Sequence, residues 1–153
     1  MKDKISSDIK IMVRLIKSKI ESLEAIFLVG GFGRDEGSIM VHEGNVHVIN
    51  DYDLVVITSR SCKKNTIYEL RRILEKELSI RQVDITIYNT KQLKNMAFTM
   101  YSYDLKYASK TIYGSEKILD LIPNMDKSKM PILEAIRPLL LFPVSLLQAR
   151  PKS

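Results

Sequence analysis

Three aspartates in two apolar segments are the residues whose type and spacing point to chemistry. Asp51 and Asp53 stand at the start of the apolar run 54–57, and Asp84 lies within the run 83–87. Because side chains alternate between the two faces of a strand, Asp51 and Asp53 point to the same face. Carboxylate oxygens are the ligands that hard divalent cations prefer. Three carboxylates on one sheet face therefore predict a cation site.

A glycine-rich turn precedes the aspartates in the chain and follows the apolar run 25–29. Gly30 and Gly31 open this turn, and Arg34 and Ser38 come after them. Glycine lets the backbone adopt positive φ angles and approach a phosphate closely, and the exposed amides of such a turn bind anions. Arg34 is suited to a bidentate contact with phosphate oxygens, and Ser38 adds a hydroxyl. The turn therefore predicts a triphosphate site beside the carboxylates.

Carboxylates beside a triphosphate site suit the attack of an acceptor hydroxyl on an α-phosphorus. Two magnesium ions about 3.5 to 4 Å apart stabilise the attacking and leaving oxygens of such a displacement. Asp51 and Asp53 are expected to bridge both ions. Asp84 is expected to bind only the ion beside the acceptor and to help remove the acceptor proton. The combination predicts nucleotidyl transfer.

The order of these motifs resembles that of the DNA polymerase β-like nucleotidyltransferase superfamily, and most of all its small stand-alone nucleotidyltransferase domains. The likeness covers residues 25–88 directly, and residues 105–114 look like the short helix and strand that follow the third aspartate in such proteins. It implies an α/β (α+β) fold in which helices flank a mixed sheet. It also implies transfer of a nucleoside monophosphate from an NTP, with ATP the expected donor, to an acceptor hydroxyl with release of pyrophosphate.

The resemblance also implies roles for particular residues. The catalytic residues, and the ligands of a pair of Mg²⁺ ions, would be Asp51, Asp53 and Asp84. The nucleotide-binding residues would be Gly30, Gly31 and Arg34, with Ser38 as a further candidate. The acceptor stays open among a sugar, an antibiotic-like metabolite and a protein side chain.

Departures from the family pattern support an alternative hypothesis. Gly31 stands where the family commonly has serine, so a hydroxyl that would contact phosphate is missing. Asp35 and Glu36 bring negative charge close to the expected phosphates, and the connection over residues 31–51 is longer than usual. The alternative is a catalytically inactive nucleotide-binding subunit, or an antitoxin-like partner subunit, of the same fold.

Composition limits the class of protein. The chain has 153 residues, of which 45% are hydrophobic, so a domain with a buried core is expected rather than a disordered tail or a fibre. The single cysteine, Cys62, excludes an internal disulfide and fits a reducing cytoplasm. We expect no signal sequence and no membrane span, because the longest apolar run, residues 139–147, is too short. A soluble cytoplasmic protein is therefore expected.

The net charge of +6 makes the surface attractive to anions. The basic residues are spread along the chain without interleaved aromatic residues, so the charge alone does not indicate nucleic-acid binding. Solvated helix faces account for it.

Hydrophobic periodicity predicts the strands and the first helix, which must position these residues. The predicted elements are an amphipathic helix over 5–23, buried strands over 25–29, 51–59 and 82–88, and an edge strand over 110–113. The pair Gly44-Asn45 predicts a hairpin turn. That turn would pair His42 with His47.

Capping signals predict the remaining helices. A capping box starting at Thr66 opens a helix whose Arg71 would face solvent, Thr90 would cap a helix over 91–97, and Ser115 would cap one that ends before residue 123. A helix over 101–107 would partly bury Tyr101 against the core, with stacking on a nucleotide base as the alternative role of this side chain.

A domain boundary is expected where the α/β pattern ends. Residues 1–122 would form the nucleotidyltransferase domain, and residues 123–153 a helical, proline-interrupted tail, which is a truncated second domain in one interpretation. Its apolar run predicts contact with a protein partner or with a second copy of the chain.

Overall fold

The computed structural model describes residues 2–42, 45–49, 51–134 and 136. The elements in chain order are α1 (Lys2–Lys19), β1 (Leu23–Val29), α2 (Gly30–Gly33), β2 (Ile39–His42), β3 (Asn45–Val48), β4 (Tyr52–Thr58), α3 (Lys64–Leu78), β5 (Val83–Asn89), α4 (Thr90–Lys94), α5 (Met100–Tyr107) and β6 (Lys110–Tyr113). Two 3₁₀ helices, Glu116–Leu121 and Lys127–Lys129, follow β6.

The central sheet has four strands in the order β5, β4, β1, β6. β1 runs antiparallel to both β4 and β6, whereas β4 and β5 run parallel. A parallel pair needs a crossover connection, and α3 supplies it. The register pairs Asp53 with Asp84. Two neighbouring strands therefore carry a carboxylate at the same level and on the same face.

Helices cover both faces of this sheet. α1 and α3 pack on the face that carries Tyr52 and Leu54. α4, α5 and the first 3₁₀ helix pack on the other face, where Phe27 and Val55 are buried. Because both faces are covered, β1 and β4 are nearly continuous apolar runs rather than alternating ones.

The predicted fold class is confirmed, because helices flank a mixed sheet. β1, β4 and β5 differ from the predicted strands by one or two residues at their ends, and β6 occupies the predicted edge position. Ser115 caps the next helix as predicted, by accepting a hydrogen bond from the Lys117 N–H, and this helix is of the 3₁₀ type.

Two predicted helix caps are wrong. α3 begins at Lys64, so Thr66 lies inside the first turn, and no side chain caps this helix. Asn89 rather than Thr90 caps α4. The Asn89 side chain accepts from the Gln92 N–H, and the Gln92 side chain accepts from the Asn89 N–H. The reciprocal bonds satisfy two donors at once, which Thr90 could not do from inside the helix.

The predicted register of the β2–β3 hairpin is also wrong. Ile39 pairs with Val48, and Met40 pairs with His47. Ile39 and Val48 both pack against the core beneath α1 and α3. The adopted register brings this apolar pair together, and Asn45 therefore lies in β3 rather than in the turn.

The predicted tail falls largely outside the described residues, including the apolar run at 139–147. Met125 lies beyond the predicted boundary and is buried against the core beneath α5. The division into residues 1–122 and 123–153 stays a prediction, as does contact of the tail with a partner. Over the ranges that the structure describes, no helix has the length and apolar character needed to cross a membrane.

We predict that Gly114→Ala destabilises the fold by about 1–3 kcal/mol. Gly114 has a φ of +84°, and an added Cβ would lie 2.2 Å from the carbonyl oxygen of Glu24. Gly31→Ala is the matched control, since its nearest contact would be 3.8 Å and its φ is not in the left-handed region. Urea unfolding followed by circular dichroism measures both. A Gly31→Ala loss as large as that of Gly114→Ala would contradict the explanation.

Candidate active site

Two carboxylates share one cavity where β1 ends and β4 and β5 begin. Asp53 and Asp84 are register partners, and both lie on the sheet face that α5 covers. The cavity has a volume of about 220 Å³. Its lining residues are Val29, Gly30, Asp53, Leu54, Asp84, Thr86, Tyr101 and Asp104. The cavity therefore joins three strands, the glycine turn and α5.

The carboxylate of Asp53 requires glycine at position 30. Gly30 has a φ of +62°, and an added Cβ would lie 2.3 Å from Oδ2 of Asp53. A side chain here would collide with the carboxylate and strain the backbone. Gly31 differs, since the nearest atom to an added Cβ would be Cα of Gly37 at 3.8 Å. Packing therefore requires the first glycine of the motif but not the second.

The expected open turn is a single turn of helix, α2. The Arg34 N–H donates to the Gly30 carbonyl at 3.2 Å, and the Glu36 N–H donates to the Gly31 carbonyl at 2.8 Å. Asp35 between them has a φ of +62°, the left-handed conformation that commonly ends a helix. This ending leaves the side chains of Arg34 and Glu36 partly or largely exposed.

Arg34 is bound to two carboxylates. Its Nε donates to Oε2 of Glu36 at 2.9 Å, and a terminal nitrogen donates to Oδ2 of Asp104 at 3.2 Å. The hydrogen bond to Glu36, and the charges of Glu36 and Asp104, raise the pKa of Arg34 above its ordinary value. Asp35 forms a second ion pair with Lys110 on β6. The glycine turn is thus connected to α5 and to β6.

Asp84 also has protein partners. Nε2 of Gln82 donates to its Oδ2 at 2.9 Å, and the guanidinium of Arg71 lies 3.9 Å from its Oδ1. The prediction that Arg71 faces solvent is wrong, because Arg71 donates to the Ile85 carbonyl at 3.1 Å and its Nε is buried without a hydrogen-bond partner. The hydrogen bond to the Ile85 carbonyl holds the guanidinium against β5, so a protein cation lies next to Asp84.

Four predicted site residues, Gly31, Arg34, Ser38 and Asp51, lie outside the lining of the cavity. Asp51 precedes β4, Ser38 precedes β2, and both are exposed. Among the described residues, no three side chains of Asp, Glu, His or Cys lie close enough together to hold a metal ion. The structure therefore brings together Asp53, Asp84 and Gly30 in the cavity, and it leaves the other four predicted site residues outside its lining.

The charge of the site nevertheless suits a divalent cation. Burial raises the pKa of Asp53, the negative charges of Asp84 and Asp51 raise it further, and Arg34 lowers it. A bound cation would relieve this repulsion, and carboxylate oxygens are suitable ligands for Mg²⁺. Asp53 and Asp84 fit Mg²⁺ in ligand type and in charge, and Asp51 adds negative charge from outside the cavity lining.

α5 adds two polar side chains to the cavity, Tyr101 and Asp104, which are not among the predicted site residues. Thr99 begins this helix, since its Oγ1 accepts from the Ser102 N–H at 3.1 Å. Tyr101 and Asp104 on its first turns line the cavity. Tyr101 is 41% exposed rather than buried in the core. Its hydroxyl interacts with Thr86, and partial burial raises its pKa.

Solved structures share this fold. The chain is 16% identical to a chain in the structure of a tri-AMPylated Shewanella oneidensis HEPN toxin in complex with an MNT antitoxin, covering 92% of this protein and 98% of that chain at a TM-score of 0.50. It is 19% identical to a chain in a toxin–antitoxin structure with AMP-PNP, with 87% and 94% covered and a TM-score of 0.52. No protein-family model and no curated sequence matches it.

A third similar structure is spectinomycin adenyltransferase AAD(9) from Enterococcus faecialis with ATP and spectinomycin. The identity is 14%, the TM-score is 0.55, and the match covers 97% of this protein and 68% of that chain. Identities this low bear on the fold alone. The chain has the mixed-sheet, helix-flanked architecture of nucleotidyltransferase-fold proteins.

Proposed function

We propose that the protein transfers AMP from ATP to a hydroxyl group of a polypeptide and releases pyrophosphate. One observation carries the proposal: Asp53 and Asp84 lie side by side in register, and Gly30 makes room for the Asp53 carboxylate. The AMP-PNP and ATP complexes of similar structures support the choice of donor. The tri-AMPylated toxin in a similar structure supports a polypeptide acceptor.

The chemistry is a substitution at the α-phosphorus. The acceptor hydroxyl loses its proton, its oxygen forms a bond to the α-phosphorus, and the bond from that phosphorus to the pyrophosphate oxygen breaks. Asp84 would accept the proton, because its carboxylate lines the cavity beside Asp53. Asp51, Asp53 and Asp84 would hold Mg²⁺, which supplies neutralisation of the phosphate charge when bound.

The glycine turn and Arg34 would bind the triphosphate. Arg34 must first leave Glu36 and Asp104, whose side chains are 63% and 34% exposed. Exposed ion pairs contribute only about 0–1 kcal/mol. A triphosphate offers the guanidinium stronger, bidentate contacts. The two carboxylates therefore hold Arg34 near the site without preventing its use.

The alternative is a subunit that binds a nucleotide or a partner without catalysis. Glu36 and Asp104 occupy the guanidinium of Arg34, and Asp35 adds a further negative charge to the same turn; these carboxylates favour this alternative. Gly31, which offers no hydroxyl, favours it as well. The two functions share the fold and differ in whether a phosphate–oxygen bond is broken.

We predict that Asp53→Asn abolishes metal-dependent ATP binding, with affinity lowered about 100-fold or more, or roughly 2.8 kcal/mol. The substitution keeps the shape of the side chain and removes the charge that a cation needs. Isothermal titration of ATP, GTP, CTP and UTP with and without Mg²⁺ measures it. Asp120→Asn, an exposed carboxylate on the first 3₁₀ helix, is the control. Unchanged binding by Asp53→Asn would exclude the proposed site.

The two glycines of the turn should respond in opposite ways. We predict that Gly30→Ala lowers ATP affinity at least about tenfold, because its Cβ would displace the Asp53 carboxylate. Gly31→Ser should bind ATP as well as the unmodified protein or more tightly, since there is room for its side chain. The same titrations measure both variants, with circular dichroism to confirm folding. Normal binding by Gly30→Ala would show that the Asp53 position is unimportant.

We predict that the protein transfers the radioactive label of α-phosphate-labelled ATP to a polypeptide. The experiment supplies the protein with a cell extract freed of small molecules by gel filtration, and in parallel with spectinomycin alone. Labelled protein on a denaturing gel, absent with Asp53→Asn, supports the proposed acceptor. Label on spectinomycin instead would replace it with a small molecule. ATP binding without any transfer would favour the non-catalytic alternative.

A further inference from the structure

α1 carries a charged residue on its apolar face. Asp8, Met12 and Ile16 are spaced four residues apart and share one face of the helix. The side chains of Met12 and Ile16 are fully buried. Asp8 itself is only 1% exposed. An isolated buried carboxylate is strongly destabilising unless it is paired and hydrogen-bonded. A carboxylate in this position therefore needs specific partners.

The partners of Asp8 come from β4 and from its own helix. The Tyr52 hydroxyl donates to Oδ2 of Asp8 at 2.9 Å, and Nζ of Lys4 donates to Oδ1 at 2.5 Å. Tyr52 is fully buried. Burial and the Asp8 charge raise the pKa of Tyr52 above its ordinary value. The tyrosine therefore stays a hydrogen-bond donor, and both oxygens of Asp8 are satisfied.

Tyr52 lies between Asp51 and Asp53 in the sequence, directly before the cavity carboxylate of Asp53. Strand alternation directs Tyr52 toward α1 while Asp53 points into the cavity on the opposite face. The ring of Tyr52 lies 4.7 Å from that of Phe32, centroid to centroid, at 39°. Phe32 belongs to α2, the glycine turn. Tyr52 is therefore the chain neighbour of Asp53 and also contacts the glycine turn through Phe32.

We propose that Asp8 is a positioning residue for this site: by holding the Tyr52 hydroxyl, it fixes the start of β4 and, through Phe32, the glycine turn. Its effect on metal and nucleotide rests on the proposed function, whereas its effect on the position of the backbone does not. Asp8 touches no substrate. It acts through one hydrogen bond and one ring contact.

Stability alone does not account for this arrangement. Replacing a buried hydrogen-bonded pair with apolar groups of similar shape is often neutral or stabilising. A hydrogen bond fixes distance and direction in a way that apolar contact does not, because it strengthens only over a narrow range of geometry. The polar pair therefore specifies where the start of β4 lies, at no gain in stability over an apolar pair.

The test separates position from stability. The variants are Tyr52→Phe, Asp8→Asn and the apolar double variant Asp8→Val with Tyr52→Phe. Ile57→Ala is the control for stability, because Ile57 is buried near the end of β4 opposite Tyr52. The free energy of unfolding of each variant is first measured by urea unfolding. Amide hydrogen exchange over residues 30–33 and 51–54 of the metal-free protein is then measured, followed by Mn²⁺ affinity.

In Tyr52→Phe and in the apolar double variant, these amides should exchange about tenfold faster than in the unmodified protein. The comparison is made at urea concentrations that give each protein the same free energy of unfolding. The Mn²⁺ affinity of the two variants should fall about 10- to 100-fold, as for other residues that orient metal ligands. Ile57→Ala should change neither quantity at matched stability. Unchanged exchange in the apolar double variant, or equally fast exchange in Ile57→Ala, would overturn the positioning role. Absence of Mn²⁺ binding by the unmodified protein would refute the metal site, and the exchange comparison would still decide the role of Asp8.

Discussion

The register between β4 and β5 is the constraint on which the site depends. It sets Asp53 beside Asp84 and, because strand side chains alternate, directs Tyr52 and Leu54 to the opposite face. A shift of β4 by one residue would turn Asp53 toward α1 and Tyr52 toward the cavity, while Asp84 on β5 kept its face. Apolar residues on both faces oppose such a shift, since each face packs against its own helices. The same packing that stabilises the sheet therefore determines where the charges lie.

The charges and backbone angles of the candidate site lower the stability that this packing provides. Asp53 is half-buried near two other carboxylates, and Gly30 and Asp35 both have positive φ angles. Such features are retained only where the surrounding structure determines them. Here β1 and β4 are paired along their length on one side of the turn, and the Arg34–Asp104 and Asp35–Lys110 ion pairs hold the other. The buried charge of Asp53 and the left-handed backbone of Gly30 therefore occur together at the cavity.

Local patterns predicted the elements, and long-range contacts account for what they missed. Periodicity identified α1, β1, β4 and β5 because burial on a regular backbone leaves a trace in the sequence. The contact between Arg34 and Asp104 spans 70 residues and leaves none. The hairpin register followed packing on the core rather than turn preference. Asp8 did leave a signal, since a charge within the apolar stripe of a helix requires a buried partner, but the sequence does not say that the partner is Tyr52.

The two glycines of the motif show how a departure from a family pattern can be interpreted physically. At position 30 the carboxylate of Asp53 leaves no room for a side chain, so glycine there is a requirement of the fold. At position 31 there is space of 3.8 Å around an added Cβ, so the absence of serine is not steric. What is lost is one hydroxyl at the proposed phosphate site, while the backbone amides of α2 are unaffected. The departure therefore concerns the strength of the proposed triphosphate binding and leaves the geometry of the carboxylates unchanged.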